Sequence, residues 1–305
     1  MGLGTLIHDL LSPVLEYISP LMPGETFPIF FFEMGMGQRA LIAAILVTVV
    51  SGFLGSFLLI RNLALIGDGL AHVSFGGVAV GLVLGATAPL WYALVFSLIA
   101  AILIFELQSR ELLTGDASIA IFLTGMLGLG LVILRVFGGG ITADIEGYLF
   151  GNLLLIDDSS LDLVATISII ALVILIVIKP ILLATTIDPL AARVQGLPVR
   201  AIGLLFSVIT AAVVVSMVQI VGTLLVTALL VTPAATGQLV GRSFRSCLIW
   251  TQFFGLVTVM LGLYLSSELR SGSGSTIALV AAMVFAFVAI LQGLRRLAKP
   301  EENLN

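Results

Sequence analysis

The chain has 305 residues, 60% apolar and 10% charged, with a formal net charge of −4. A water-facing surface needs about one quarter charged residues, so a soluble enzyme and a disordered chain are both excluded. The acidic balance, with an isoelectric point near 5.1, also excludes a nucleic-acid binder.

In chain order, the first predicted element is a helix over residues 3–18. Its apolar spacing leaves His8, Asp9 and Glu16 on polar positions, the pattern of an interfacial or outer-face helix. No lysine or arginine occurs before Arg39, so a cleaved secretory signal is not expected. Apolar runs then follow at 40–60, 63–88, 89–105, 117–134, 163–178, 201–218, 220–236, 247–266 and 276–294. Each approaches the roughly 20 residues that a bilayer crossing requires. The runs are continuous instead of alternating with period two, so they predict helices and not barrel strands. The expectation is an all-α polytopic membrane protein of nine spans. Residues 1–38 form an N-terminal extension, 39–297 one transmembrane domain and 298–305 a cytoplasmic tail.

Basic residues set the expected orientation. With the N-terminus outside, the inner side holds Arg61, Arg110, Lys179, Arg193, Arg200, Arg242, Arg245, Arg295, Arg296 and Lys299, out of 13 basic residues. Arg39 and Arg270 remain outside, and Arg135 snorkels from an outer helix end. The positive-inside rule therefore places the C-terminus in the cytoplasm and the acidic loop at 138–161 outside.

Ionisable groups within a span mark transport pathways by default, because burying them in lipid costs a few kcal/mol unless they are solvated or paired. The second span contains IGDGLAHVSFGGVAVG, with Asp68 and His72 at i and i+4 on one helix face, about 6 Å apart along the axis. Carboxylate oxygen and imidazole nitrogen are both ligands for zinc, manganese or iron(II). The two groups could instead pair with each other, or relay protons, since histidine titrates near neutral pH. Two ligands do not complete a tetrahedral site, but a symmetric dimer would supply four. Gly76 continues this face and is expected to leave open space beside the pair. Gly77, Gly81 and Gly85 form a second small stripe that allows close helix approach.

Farther along, TTIDPLAARVQGLPVR reads as a short helix between turns. Asp188 caps it, Pro189 begins it, and Gly196 with Pro198 ends it. It is either an ordinary connector or a docking element for a cytoplasmic partner. In TALLVTPAATG, Pro233 removes a backbone hydrogen bond, and Thr232 and Thr236 are placed to re-satisfy freed groups. The single cysteine, Cys247, excludes an internal disulfide and a CxxC zinc set. The only lysines, Lys179 and Lys299, do not follow glycine, so no GxxxxGK(S/T) phosphate loop exists.

Together these pieces resemble the metal-ion ABC permease family that imports zinc, manganese and iron. The match runs through SGFLGSFLLIRNLALIGDGLAHVSFGGVAVGLVLG, YLFGNLL, DPLAARVQGLPV and VGTLLVTALLVTPAATG, and covers about residues 41–294. The resemblance implies a fold like the large, type II vitamin and siderophore importers. It implies a homodimer, two copies of a separate ATP-binding cassette subunit and an extracytoplasmic metal-binding protein, all at a prokaryotic plasma membrane. Asp68 and His72 match the family's intramembrane metal ligands, and Asp188, Pro189 and Gly196 its ATPase-coupling helix. No tightly bound cofactor is implied, only the transported divalent ion. GDGLAHVSFGGVA is closer to the zinc branch, which tends to read GDTLAH, than to the manganese pattern GDAISHAVLPG, where proline stands at the position of Gly76. The expected function is thus a zinc permease powered by a partner ATPase, with manganese or iron as the alternative cargo. A proton-coupled secondary transporter is the more distant rival. An intramembrane enzyme is disfavoured by the lack of HExxH and GxSxG motifs.

Overall fold

A computed structural model describes residues 2–86, 89–137, 151, 156–223 and 226–297. The chain is helical wherever its apolar runs lack proline or glycine breaks, because a helix satisfies every backbone group within its own segment. After α1 (Leu3–Ile18) come α2 (Gly35–Ile60), α3 (Ile66–Val83), α4 (Leu90–Ser109), α5 (Gly115–Phe137) and α6 (Asp158–Ile187). The remainder comprises α7 (Pro189–Val194), α8 (Val199–Val221), α9 (Val226–Leu230), α10 (Thr232–Val240), α11 (Phe244–Leu269) and α12 (Ser273–Leu297). Among the described residues, eight helices are long and apolar enough to cross a membrane.

Helices α2 and α3 are central: 83% and 78% of their most apolar stretches are buried, against 22% for α5 and α12. The outer helices present apolar faces outward. Trp91, Val95, Ile99 and Ile102 form one exposed stripe along α4. Such a stripe would be unfavourable against water, whereas acyl chains cover it at no loss.

The seventh predicted span, 220–236, is not one helix. Helix α8 runs on to Val221 and stops at Gly222, whose φ is +82°. The return is made by α9 and α10, broken at Val231 because Pro233 lacks an N–H and sits in the first turn of α10. Thr236 donates its hydroxyl to the Thr232 carbonyl one turn back at 2.8 Å, and not to the Leu229 carbonyl that the missing N–H of Pro233 frees, which corrects the expected role.

The first helix is present as expected, and it is tied to the bundle. The Thr5 N–H donates to Asp162 at 2.7 Å, Ser12 donates to Gln38 at 2.8 Å, and Gly4 lies against the Leu161 backbone. Farther along the same segment, Glu268 of α11 accepts the backbone N–H groups of Glu25, Thr26 and Phe27 at 2.9–3.0 Å. Phe27 packs edge-on against Tyr264, with centroids 5.5 Å apart. The YLFGNLL motif and the 298–305 tail lie largely or wholly outside the described residues, as does most of the acidic loop.

Candidate metal path and coupling helix

Helix α2 ends in a tight turn. Asn62 takes a left-handed conformation, and the Leu63 N–H reaches back to the Leu58 carbonyl at 2.9 Å. Helix α3 starts at Ile66, so Asp68 lies in its first turn and His72 in its second. At 1.5 Å per residue, His72 is about 9 Å from the helix start. The pair therefore sits near the Arg61 end of the bundle.

The spacing does bring the two side chains together. His72 Nε2 lies 3.7 Å from Asp68 Oδ1, within ion-pair range but too long for a hydrogen bond. His72 is only 7% exposed, while the Asp68 side chain keeps 31% of its surface open. The other imidazole nitrogen, Nδ1, is buried with no hydrogen-bond partner. A buried polar atom left unpaired is unfavourable by about 1–3 kcal/mol. The pair is thus under-bonded, with ligand lone pairs unspent. Among the described residues, no group of three or more His, Cys, Asp or Glu side chains could hold a metal.

Glycines clasp this helix more tightly than the sequence suggested. The space beside Gly76 is filled, because a Cβ there would meet the Met126 carbonyl oxygen and Cε, both at 2.8 Å. Its smallness serves close packing of α3 on α5, and that corrects the expectation of open space. Gly77 and Gly81 do admit α4, with Tyr92, Ala93 and Pro89 against them. Gly85 does not belong to that stripe: its φ is +70° and nothing lies within 4 Å. It is the left-handed residue that terminates α3.

The second predicted constellation folds as its local chemistry dictates. Asp188 accepts the N–H groups of Leu190 and Ala191 at 3.0 and 2.9 Å, capping α7, and Pro189 occupies its first position. Gly196 has φ +78°, and the Leu197 N–H closes onto Ala192 at 3.0 Å. Ala192 is buried, whereas Leu190 and Val194 point out with 73% and 90% of their surface exposed.

Sequence reasoning missed the groups that surround this short helix. A cavity of about 1000 Å³ opens beside it, lined by Arg61, Arg110, Thr186, Pro189, Arg193 and Arg200 among others. Glu106 bridges α4 to α8, accepting from Arg110 at 2.6 Å and from Arg200 at 2.8 Å. Arg61 donates Nε–H to the Thr186 hydroxyl at 3.1 Å, and its guanidinium carbon lies 4.8 Å from the Phe206 ring centre. Burial lowers the Arg61 pKa to about 10, which leaves it cationic at neutral pH. In the sequence these arginines were legible only as topology markers.

The chain is similar to known proteins over most of its length. The manganese import system permease protein ScaB of Streptococcus gordonii is 32% identical over 248 residues, covering 81% of this chain and 88% of that protein. The manganese transport system membrane protein MntC of Halalkalibacterium halodurans is 33% identical over 262 residues, covering 84% and 89%. Among solved structures, PsaBC from Streptococcus pneumoniae in complex with Fab superposes with a TM-score of 0.76 at 32% identity, covering 86% of this chain and 94% of that one. The profile of the ABC 3 transport family matches residues 34–292, and the chain belongs to that family as a metal ABC transporter permease.

Proposed function

We propose that this permease carries manganese into the cytoplasm, with Asp68 and His72 as ligands on its path. Two observations support the reading. Named manganese permeases match more than four fifths of the chain, with 81% and 84% covered. The site reading rests on the orphaned Nδ1 of a buried His72 whose Nε2 faces Asp68 at 3.7 Å. The zinc expectation drawn from GDGLAHVSFGG weakens because the glycine at position 76 has a packing reason. Met126 needs that space whichever ion passes.

One chain offers one oxygen and one nitrogen, so a homodimer would present two of each at its axis. Oxygen-rich coordination suits manganese, but any O/N set holds zinc more tightly by the Irving–Williams order. Selection against zinc then falls to an extracytoplasmic binding protein, and the membrane site serves as a weak waypoint that must also release its ion. The chain carries no phosphate loop, so energy comes from a separate ATPase subunit docked on the α7 helix, where Asp188, Pro189 and Gly196 shape the contact.

Uptake of radioactive manganese by cells expressing the complete transporter tests this reading. Manganese accumulation that depends on ATP and on the binding protein is the expected result. Accumulation of zinc without manganese would overturn the cargo. Dependence on a proton gradient with no ATP requirement would overturn the mechanism.

A further inference from the structure

Arg61 stands in the turn between α2 and α3, seven residues before Asp68, and its side chain reaches across the Arg61 end of the bundle. Its Nε–H donates to Thr186 Oγ1 at 3.1 Å. Thr186 in turn donates to the Leu182 carbonyl at 2.6 Å, so its proton is committed and a lone pair is left for Arg61. Thr186 lies two residues before Asp188, the cap of α7. The guanidinium face rests 4.8 Å from the ring centre of Phe206, on the helix that leaves α7. Phe206 also packs on Phe57 of α2, with centroids 6.2 Å apart. One side chain thus touches both helices that carry the coupling helix. Its backbone belongs to the turn from which the metal helix starts.

Among the described residues no carboxylate lies within ion-pairing distance of Arg61, although five other contacts between basic and acidic side chains are made by arginine or histidine. A largely buried cation held by a hydroxyl and a ring does not gain the Coulombic stabilisation of an ion pair. What it gains is geometry. Guanidinium alone combines a directed Nε–H with a planar cationic face, and lysine supplies neither.

We propose that Arg61 is a positioning residue that locks the first turn of the metal helix α3 to the ATPase-coupling helix α7, so that movement of one is transmitted to the other. The inference rests on the assignments of α3 and α7 under Proposed function. Coupling free energies between sites are typically 1–3 kcal/mol, so loss of the link should lower metal moved per ATP about tenfold.

The test uses the complete transporter in proteoliposomes, with manganese uptake and ATP hydrolysis measured together. In Arg61→Ala the ratio of manganese to ATP should fall about tenfold while hydrolysis continues. Arg61→Lys, which keeps the charge, should recover only part of the ratio. Thr186→Val should lower it too, and the Arg61→Ala/Thr186→Val double variant should be no worse than Arg61→Ala alone. An unchanged ratio in Arg61→Ala, full recovery in Arg61→Lys, or additive losses in the double variant would overturn the proposal. So would a parallel fall of uptake and hydrolysis with a lowered melting temperature, which is what a merely structural role predicts. Asp68→Asn in the same preparation keeps the underlying assignment separate: normal uptake there removes the metal from α3, whatever Arg61 does.

Discussion

The imidazole of His72 is buried, faces a carboxylate at 3.7 Å and leaves Nδ1 unpaired. A residue kept for packing would be better replaced by an apolar one of similar volume, because burying an unsatisfied nitrogen is unfavourable. Asp68→Asn and His72→Ala are therefore expected to abolish manganese uptake while leaving the amount of permease in the membrane unchanged. Removing a charge from a membrane helix eases insertion, so loss of protein is not the expected cause. Uptake at matched expression is the deciding measurement, and near-normal transport by either variant would place the ion path elsewhere. These two residues were legible from sequence because i and i+4 spacing fixes their relation within one helix. The cavity-filling Met126 was not, because nothing local says which helix lies opposite Gly76.

Helix α7 is six residues long, too short to persist on intrinsic propensity, so its ends hold it. Asp188 caps through its oxygen and not through its charge alone. Asp188→Asn should accordingly retain ATP-driven uptake, while Asp188→Ala loses about 1 kcal/mol of capping and uptake with it. At the other end, Gly196 has open space around it but φ +78°, so the constraint is backbone strain and not size. Gly196→Asn, which tolerates the left-handed region, should transport better than Gly196→Val, which does not. Equal transport by both would make the segment an ordinary connector. The glycines of the long helices divide in the same way. A Cβ at Gly77 would meet the Tyr92 carbonyl oxygen at 2.7 Å and the Ala93 Cα at 2.8 Å, both backbone atoms that cannot swing aside. Gly77→Ala should force α3 from α4 and destabilise by roughly 1–3 kcal/mol. Gly128→Ala meets nothing within 4 Å and should leave the melting temperature unchanged or raise it slightly. The Asp188 cap and the Gly196 turn could be read directly from the chain, but the turns at Gly85 and Gly222 could not. The Arg61–Thr186 bond joins residues 125 apart and the Glu268–Glu25 bond residues 243 apart. Contacts of that separation carry no local signal.

At the scale of the whole molecule, the count of crossings decides where the C-terminus lies. Eight long helices alone would return the chain to the side on which it began. The contacts of Phe57, near the end of α2, show that a ninth crossing exists. Phe206 of α8 and Phe244, the first residue of α11, both pack on Phe57, with centroids 6.2 and 4.8 Å away. Helices α8 and α11 therefore start at the same end of the bundle. Helix α8 is 23 residues long, about 34 Å, and reaches the far side. The stretch from Gly222 to Val240 must bring the chain back, and α9 with α10 supplies part of that distance as a broken crossing. Hydropathy found this crossing because composition persists through the break. It mistook the geometry because a single φ at Gly222 and the missing N–H of Pro233 leave apolarity untouched. With nine crossings and an external start, α12 ends on the side of Arg61, where Arg295 and Arg296 also fall under the positive-inside rule. A reporter fused to the C-terminus should read cytoplasmic, and one inserted between Thr142 and Glu146 should read external. With nine crossings, an external C-terminus would mean that the whole bundle is inverted, and it would put α7 on the outer side, where no ATPase could dock on it.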